Sequence, residues 1–299
     1  MPAIDLSQLP PPEVIETLYF EAILADLKSD LVARYPECEP LLSLESEPVV
    51  KLLEVAAFRE MVLRARYNDE ARALLLAFSR CADLDHIGVT YYDGELRLLV
   101  SPGNPESNPP TQDVWESDEA FRQRLALKPE SYSVAGPSEA YRFHALSAHG
   151  MVKAASVTSP IQGTTAVYIL SRDGNGTPSA EILAAVDAAL NSENIRPLSE
   201  EVLVHQTSIV EYTIDIDLYV FPGPSGEIVL ASARAELEKY ATAAHTVDGD
   251  VTYSALAAAA HRTGVKRAVV NSPAADIMCD KTQAPYCTGI NVRIAGVES

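Results

Sequence analysis

The chain has 299 residues, 47% of them hydrophobic, so it can build a proper core, and its length suggests two domains or one domain plus an extended region. A formal net charge of −19 argues against nucleic acid and anionic membrane surfaces as partners, and favours solubility and basic partners. No basic-plus-apolar leader opens the sequence and no apolar run of about 18 residues could span a bilayer, so a soluble, cytosol-made protein is expected.

Residues 1–12 are Pro-rich and read as extended, with Pro10, Pro11 and Pro12 stopping any early helix. Residues 13–35 read as a helix. Phe20, Leu24, Leu27 and Leu31 recur at 4-3-4 spacing, which is either the seam of a core helix or a seam shared with another chain. Pro36 and Pro40 end it.

The stretch from Leu44 to Leu84 predicts one long helix, or two end to end. Ser46 or Glu47 caps it and Pro48 sits in its first turn, where a missing N–H is harmless. Continuous helix from Val49 to Ser79 would be about 46 Å long. Val49, Leu52, Leu53, Ala56 and Ala57 mark one apolar face, and Val55, Phe58, Val62 and Ala65 another. A helix apolar on more than one side is covered on more than one side. Leu52, Leu53 and Ala56 are expected against one neighbour, and Phe58, Val62 and Ala65 against another. Residues 1–47 are strongly acidic, whereas 48–80 carry Lys51, Arg59, Arg64, Arg66, Arg72 and Arg80 against four acids. Antiparallel pairing of the two helices is electrostatically favoured, by a few tenths of a kcal/mol per exposed pair.

In 86–116 the pattern changes. HIGVTYYDGELRLLVSPG predicts a hairpin with its turn at Asp93-Gly94, and the polar GNPESNPPTQ that follows reads as a mobile linker. Trp115 reads as a staple into the core. Ser117 caps a helix starting at DEAFRQRL, with Asp118 and Glu119 in its positive first turn. A second helix, SEAYRFHALSA, follows Gly136-Pro137. Strands at Val152–Thr158 and Thr165–Leu170 lead through Asp173-Gly174-Asn175-Gly176 to a helix at 178–191 with Pro178 in its first turn, then a strand at Glu201–Gln206.

Val210, Tyr212, Ile214, Ile216, Leu218 and Val220 alternate with Glu211, Thr213, Asp215, Asp217 and Tyr219, a half-buried strand whose acids protect an exposed face or edge. Helices at 225–245 and 253–262 follow. Gly150–Pro160 (GMVKAASVTSP) resembles Gly264–Pro273 (GVKRAVVNSP), each after an Ala-containing helix with a His near its end (His149, His261). The expected fold is α+β: long N-terminal helices, then two related α+β units with mixed and antiparallel sheets. The expected division is 1–85 helical bundle, 86–116 hairpin and linker, 117–207 first α+β domain and 208–299 second.

Catalytic signatures are missing from the sequence: it has no GxSxG, HExxH, P-loop or GxGxxG. His144 and His149 are five apart, off the spacing that puts two ligands on one helical face. Asp215 and Asp217 lack a partner that would make them an acid–base pair, and Asp248 and Asp250 flank a turn rather than a calcium loop. Cys38, Cys81, Cys279 and Cys287 read as reduced thiols, although Cys279 and Cys287 are close enough for a disulfide or half a metal site. A hydrolase with a dispersed site and a soluble ligand-binding module remain the alternatives to an assembly protein.

PPPEVIETLYFEAILADLKSDLVARYPE, LESEPVVKLLEVAAFREMVLRARYNDEARALLLAFSRCADLD, ESDEAFRQRLALKPESYSVAGPSEAYRFHALSA, DGNGTPSAEILAAVDAALNSENIRPLSEEV and SPAADIMCDKTQAPYCTGI together resemble the baseplate assembly protein J family of contractile-tailed phages and tail-derived bacteriocins. The resemblance implies a structural wedge protein with no cofactor and no catalytic residues. It would pair with a second copy and with a protein I-type wedge partner through its N-terminal helices, beside a small lysozyme-like baseplate protein of the inner wedge. Its C-terminal domains would link neighbouring wedges into a sixfold ring around a central hub, in a virion or tailocin particle assembled in the bacterial cytoplasm. The ring would rearrange when the tail contracts.

Overall fold

The computed structural model describes residues 16–133, 135–223 and 226–298. The chain divides into two compact units, 1–96 and 97–299. The first is helical and the second holds all the sheets, the α+β class expected from the sequence.

In the helical unit, α1 (Phe20–Arg34) packs on α2 (Pro48–Ala73), with a 3-10 segment at Pro36–Ser43 between them. Ile23, Leu24 and Ala57 form the buried centre, flanked by Phe20, Leu27, Leu53 and Met61. The helices run antiparallel. The backbone entering α1 is clamped near the far end of α2, where Glu16 N–H donates to Asn68 Oδ1 at 3.0 Å and Asn68 Nδ2 donates to Glu16 O at 2.8 Å. Arg64 adds an ion pair to Glu16.

Three expectations for this unit are corrected. The helix expected over 13–35 starts only at Phe20; residues 16–19 are non-helical, and 1–15, including the proline run, lie outside the described residues. The long helix is not continuous to Ser79. It stops at Ala73, and α3 (Cys81–Tyr91) starts after a break in which Cys81 takes a left-handed φ of 47°. Asp93-Gly94 is not a hairpin turn but the end of α3. Both residues have positive φ, and Gly94 N–H donates back to Val89 O, closing the helix as a glycine C-cap does.

The second unit opens with a short antiparallel pair, β1 (Leu99–Ser101) and β2 (Val114–Trp115). The polar loop between them folds on itself instead of running free: Gly103 N–H donates to Asp113 and Asn104 N–H to Thr111 Oγ1. Trp115 is 53% exposed and is not the core staple expected. Ser117 caps α4 (Asp118–Leu127) as expected, accepting from Ala120 N–H.

Two three-stranded sheets follow. In the first, α5 (Ser138–Ala148), β3 (Val152–Ile161), β4 (Thr164–Ser171), α6 (Ala180–Leu190) and β5 (Glu201–Gln206) build the order β3-β4-β5. Ser179 caps α6, so Pro178 precedes the helix and does not occupy its first turn. In the second sheet, β6 (Ser208–Val220), α7 (Gly226–Ala244), α8 (Tyr253–Ala260), β7 (Val265–Ser272) and β8 (Gln283–Val297) build the order β7-β6-β8.

Each sheet has one central strand with an antiparallel neighbour on one side and a parallel neighbour on the other. The sequence repeat falls on the same place in both: α5–β3 and α8–β7 are each a helix leading into the antiparallel edge strand. Their wiring differs. In the first sheet that block precedes the central strand β4, whereas in the second the central strand β6 and α7 come first. Tyr212, Ile214, Ile216, Leu218 and Val220 face inward against α7 and α8, as the alternation predicts. The acids between them do not guard an edge, because β6 is central.

The two sheets meet through Ala154 and Leu170 on one side and Val247, Ala284 and Ile209 on the other, with a hydrogen bond from Ser156 Oγ to Lys281 O.

Candidate assembly surfaces

The helical unit leaves one large apolar face uncovered. Side chains of α2 at Leu53, Ala57 and Met61 lie on the side that α1 covers. About half a turn away the helix carries a second apolar row: Leu52 is 72% exposed, Phe58 54% and Val62 50%, with Val55, Leu63 and Tyr67 also open. Isolated exposed apolar residues are ordinary on a protein surface, but a contiguous row on one helix marks a contact surface.

The ten residues singled out from sequence separate along this division. On α1, Leu24 is buried and Phe20 and Leu27 pack against α2, so this seam meets a helix of its own chain. Leu31 is half-buried. On α2, Leu53 faces α1, and Ala65 is half-buried. Leu52, Ala56, Phe58 and Val62 are exposed. Leu52 and Leu53, grouped together by sequence, therefore look in different directions. Leu63 and Tyr67 belong to the open row and were overlooked, although their i, i+4 spacing was visible in the sequence.

The α4 segment is held by a buried charge network. Arg124 Nη2 lies 2.8 Å from Glu116 Oε2, with both side chains almost fully buried, and Arg97 Nη2 lies 2.7 Å from Asp118 Oδ1. The Phe121 ring sits between the Arg97 and Arg124 guanidiniums. This network fastens β1 and β2 to α4.

Other polar clusters are likewise committed. Arg293 bridges Asp215 and Asp217 at 2.8 and 2.7 Å, so the adjacent acids on β6 share one guanidinium in an ion-pair triad. A shallow depression of about 270 Å³ is lined by His149, Asp173, Glu181 and the start of α6, and His149 Nδ1 there accepts the Met151 N–H. Among the described residues no group of three His, Cys, Asp or Glu is placed to hold a metal ion. The four cysteines are free. No helix among the described residues is long and apolar enough to cross a membrane.

Where the two sheets meet, His245 Nδ1–H donates to Pro285 O at 2.7 Å and its ring packs on Tyr286. Burial pushes the Lys153 ammonium down to about 8, helped by the nearby Arg172 guanidinium. Burial also lowers the pKa of His245, with Lys153 adding to the effect.

An open apolar row on α2 is the feature expected of a structural assembly protein. Comparison with known families agrees along the chain. Residues 45–104 match the Baseplate J-like N-terminal domain, 133–206 the Baseplate J-like central domain and 212–293 the Baseplate J-like protein C-terminal domain. The chain belongs to the baseplate J family and has a structural role in the phage tail baseplate. Baseplate protein J of Escherichia phage P2 is 45% identical over 301 residues, covering 99% of each chain. A chain of the cryo-EM structure of the anti-feeding prophage baseplate, 6-fold symmetrised, aligns at 12% identity with a TM-score of 0.42, over 60% of this chain and 43% of that one.

Proposed function

We propose that this chain is a wedge subunit of a contractile-tail baseplate. Its N-terminal helices join a bundle with a second copy and with a protein I-type partner, beside the small lysozyme-like protein of the inner wedge. Its α+β unit makes the contacts that join neighbouring wedges into a sixfold ring around the hub, and the ring rearranges on contraction. The particle is a virion or a tailocin, assembled in the bacterial cytoplasm.

The observation that carries the reading is the open row on α2. One side of the helix is satisfied by α1, so the opposite row Leu52, Val55, Phe58 and Val62 is free to meet helices of other chains. Fully burying a side chain of this size contributes about 1.5–3 kcal/mol, so the four are a substantial apolar contribution to association.

The test is co-expression of the full chain with its protein I-type partner, followed by native mass spectrometry. The expected species holds two copies of this chain and one of the partner. Phe58→Asp with Val62→Asp should abolish it while leaving the circular dichroism of the isolated chain unchanged. A complex indifferent to both substitutions overturns the assignment.

A further inference from the structure

We propose that β8 pairs antiparallel with β8 of a second copy, about a two-fold axis at Val292, fusing two three-stranded sheets into one of six strands. This rests on the reading that the α+β unit contacts its own kind in the ring, and it names the element that does so.

β8 is the last strand in the order β7-β6-β8, so one of its edges has no strand beside it. The start of that edge is covered from within the chain. Asp248 N–H donates to Gln283 O at 3.0 Å and His245 Nδ1–H to Pro285 O. From Cys287 to Val297 the situation changes. Among the described residues, the only other strand bonded to this stretch is β6, on its inner edge. A side-chain carbon added at Gly289 would meet nothing within 4 Å. Asn291, Arg293, Ile294, Ala295 and Val297 are exposed.

Proteins guard open edges with lysine, proline, inward charges, bulges or short strands. β8 has bulges at Thr288 and Ala295, and between them Gly289–Ile294 runs in regular register with β6. The stretch Cys287–Val297 contains no Pro, Lys, Asp or Glu. Its one charge, Arg293, is drawn onto the sheet face by Asp215 and Asp217. In a chain of net charge −19 this edge carries no acid, so two copies can approach here without the repulsion that most of the surface imposes.

The sequence of the edge matches its own reversal. Pairing about Val292 sets Ile290 opposite Ile294 and Val292 opposite itself on the core-facing side, where Ile290 and Val292 already pack on the hydrophobic core. On the other face Asn291 meets Arg293, and Gly289 meets Ala295. No like charges are opposed. A slip of one residue would flip the faces, and a slip of two toward the C-terminus would set Arg293 against its own copy.

The test is sedimentation equilibrium of the full chain at sub-millimolar concentration in a Phe58→Asp, Val62→Asp background, which removes pairing through α2, with Asn291 kept or changed to Lys or to Asp. Asn291 is exposed and lies opposite Asp215 of β6, so the lysine should raise and the aspartate lower the melting temperature slightly. The chain with Asn291 kept is expected to dimerise reversibly. The lysine places two like-charge pairs across the axis and should weaken the dimer roughly five- to tenfold, whereas the aspartate should not weaken it. Gly289→Cys with Ala295→Cys, oxidised as the full chain, should give a dimer whose 289–295 cross-link is seen by mass spectrometry. A dimer indifferent to Asn291→Lys and lacking that cross-link overturns the edge pairing but leaves self-contact by the α+β unit standing. A chain monomeric at every concentration overturns both.

Discussion

Arg124 and Glu116 form an ion pair with almost no exposure to water, and Phe121 lies against the guanidinium. Removing one partner strands the other charge in a dry site. Arg124→Met should therefore destabilise the sheet-bearing unit by about 3–5 kcal/mol, read from its denaturant transition. Arg124→Met combined with Glu116→Leu should recover much of that loss. If the double variant is no better than the single one, the pair is not the source of the effect.

The two sides of α2 should respond oppositely to truncation. Leu24→Ala opens a cavity between α1 and α2 and should lower the stability of the helical unit by about 2–4 kcal/mol. Leu52→Ser, on the open side, should change it by no more than about 0.5 kcal/mol. Urea titrations of the two variants, side by side, make the comparison.

Asn68 holds the entry to α1 with a donor and an acceptor at once. Asn68→Asp keeps the acceptor for Glu16 N–H but sets a carboxylate against Glu16 O. It should raise amide hydrogen exchange over Phe20–Leu24 by about tenfold or more, since one buried hydrogen bond is worth roughly 1–2 kcal/mol. Unchanged exchange there would mean that the clamp does not anchor the helix.

The junction between the sheets should be sensitive to pH at both ends. Lys153 falls from 10.5 to about 8 on folding, so the folded state binds fewer protons than the unfolded chain between those values. Stability should rise with pH through that window, and Lys153→Met should flatten the rise. The pKa of His245 is also lowered by burial, so its contribution is whole above the ordinary value of 6.5 and is lost as pH falls through the folded value. His245→Phe should remove that part of the acid limb. Denaturation midpoints between pH 5 and 10 would show both slopes.

Gly150 ends the turn between α5 and β3, where a side-chain carbon would come within 2.1 Å of the Leu99 carbonyl oxygen. Gly150→Ala should push β1 off this turn and reduce the soluble yield of the full chain. Gly174→Ala, with nothing within 4 Å of the added carbon, should have only the modest effect of its positive φ.

Much of this was legible in the residues because their signals are local. The alternation in β6 needs only period two, and the cap at Ser117 needs only a hydroxyl before a helix. Asp93-Gly94 shows where locality fails. Asp-Gly favours positive φ, which both residues adopt, yet the same chemistry ends a helix as readily as it turns a hairpin. Two helices end to end are one reading of Leu44–Leu84, but the place of the stop at Ala73 has no local mark, since Leu74–Ser79 holds neither Gly nor Pro. The open row on α2 was visible as excess apolarity, but which members faced α1 depended on helix phase against a neighbour. The swapped wiring of the two sheets could not be read, because a sequence repeat marks a block and not its place in a sheet.

That swapped wiring sets an order of events during synthesis. β4 follows β3 across a tight turn and can pair as soon as both leave the ribosome. β6 must wait for β7, whose first residue lies about 45 positions after its last, which is some 2–9 seconds at ordinary elongation speeds. During that interval α7 and then α8 emerge, the two helices that cover the apolar side of β6 in the finished fold. The order of the chain thus makes helices available to the apolar side of the central strand before its antiparallel neighbour exists.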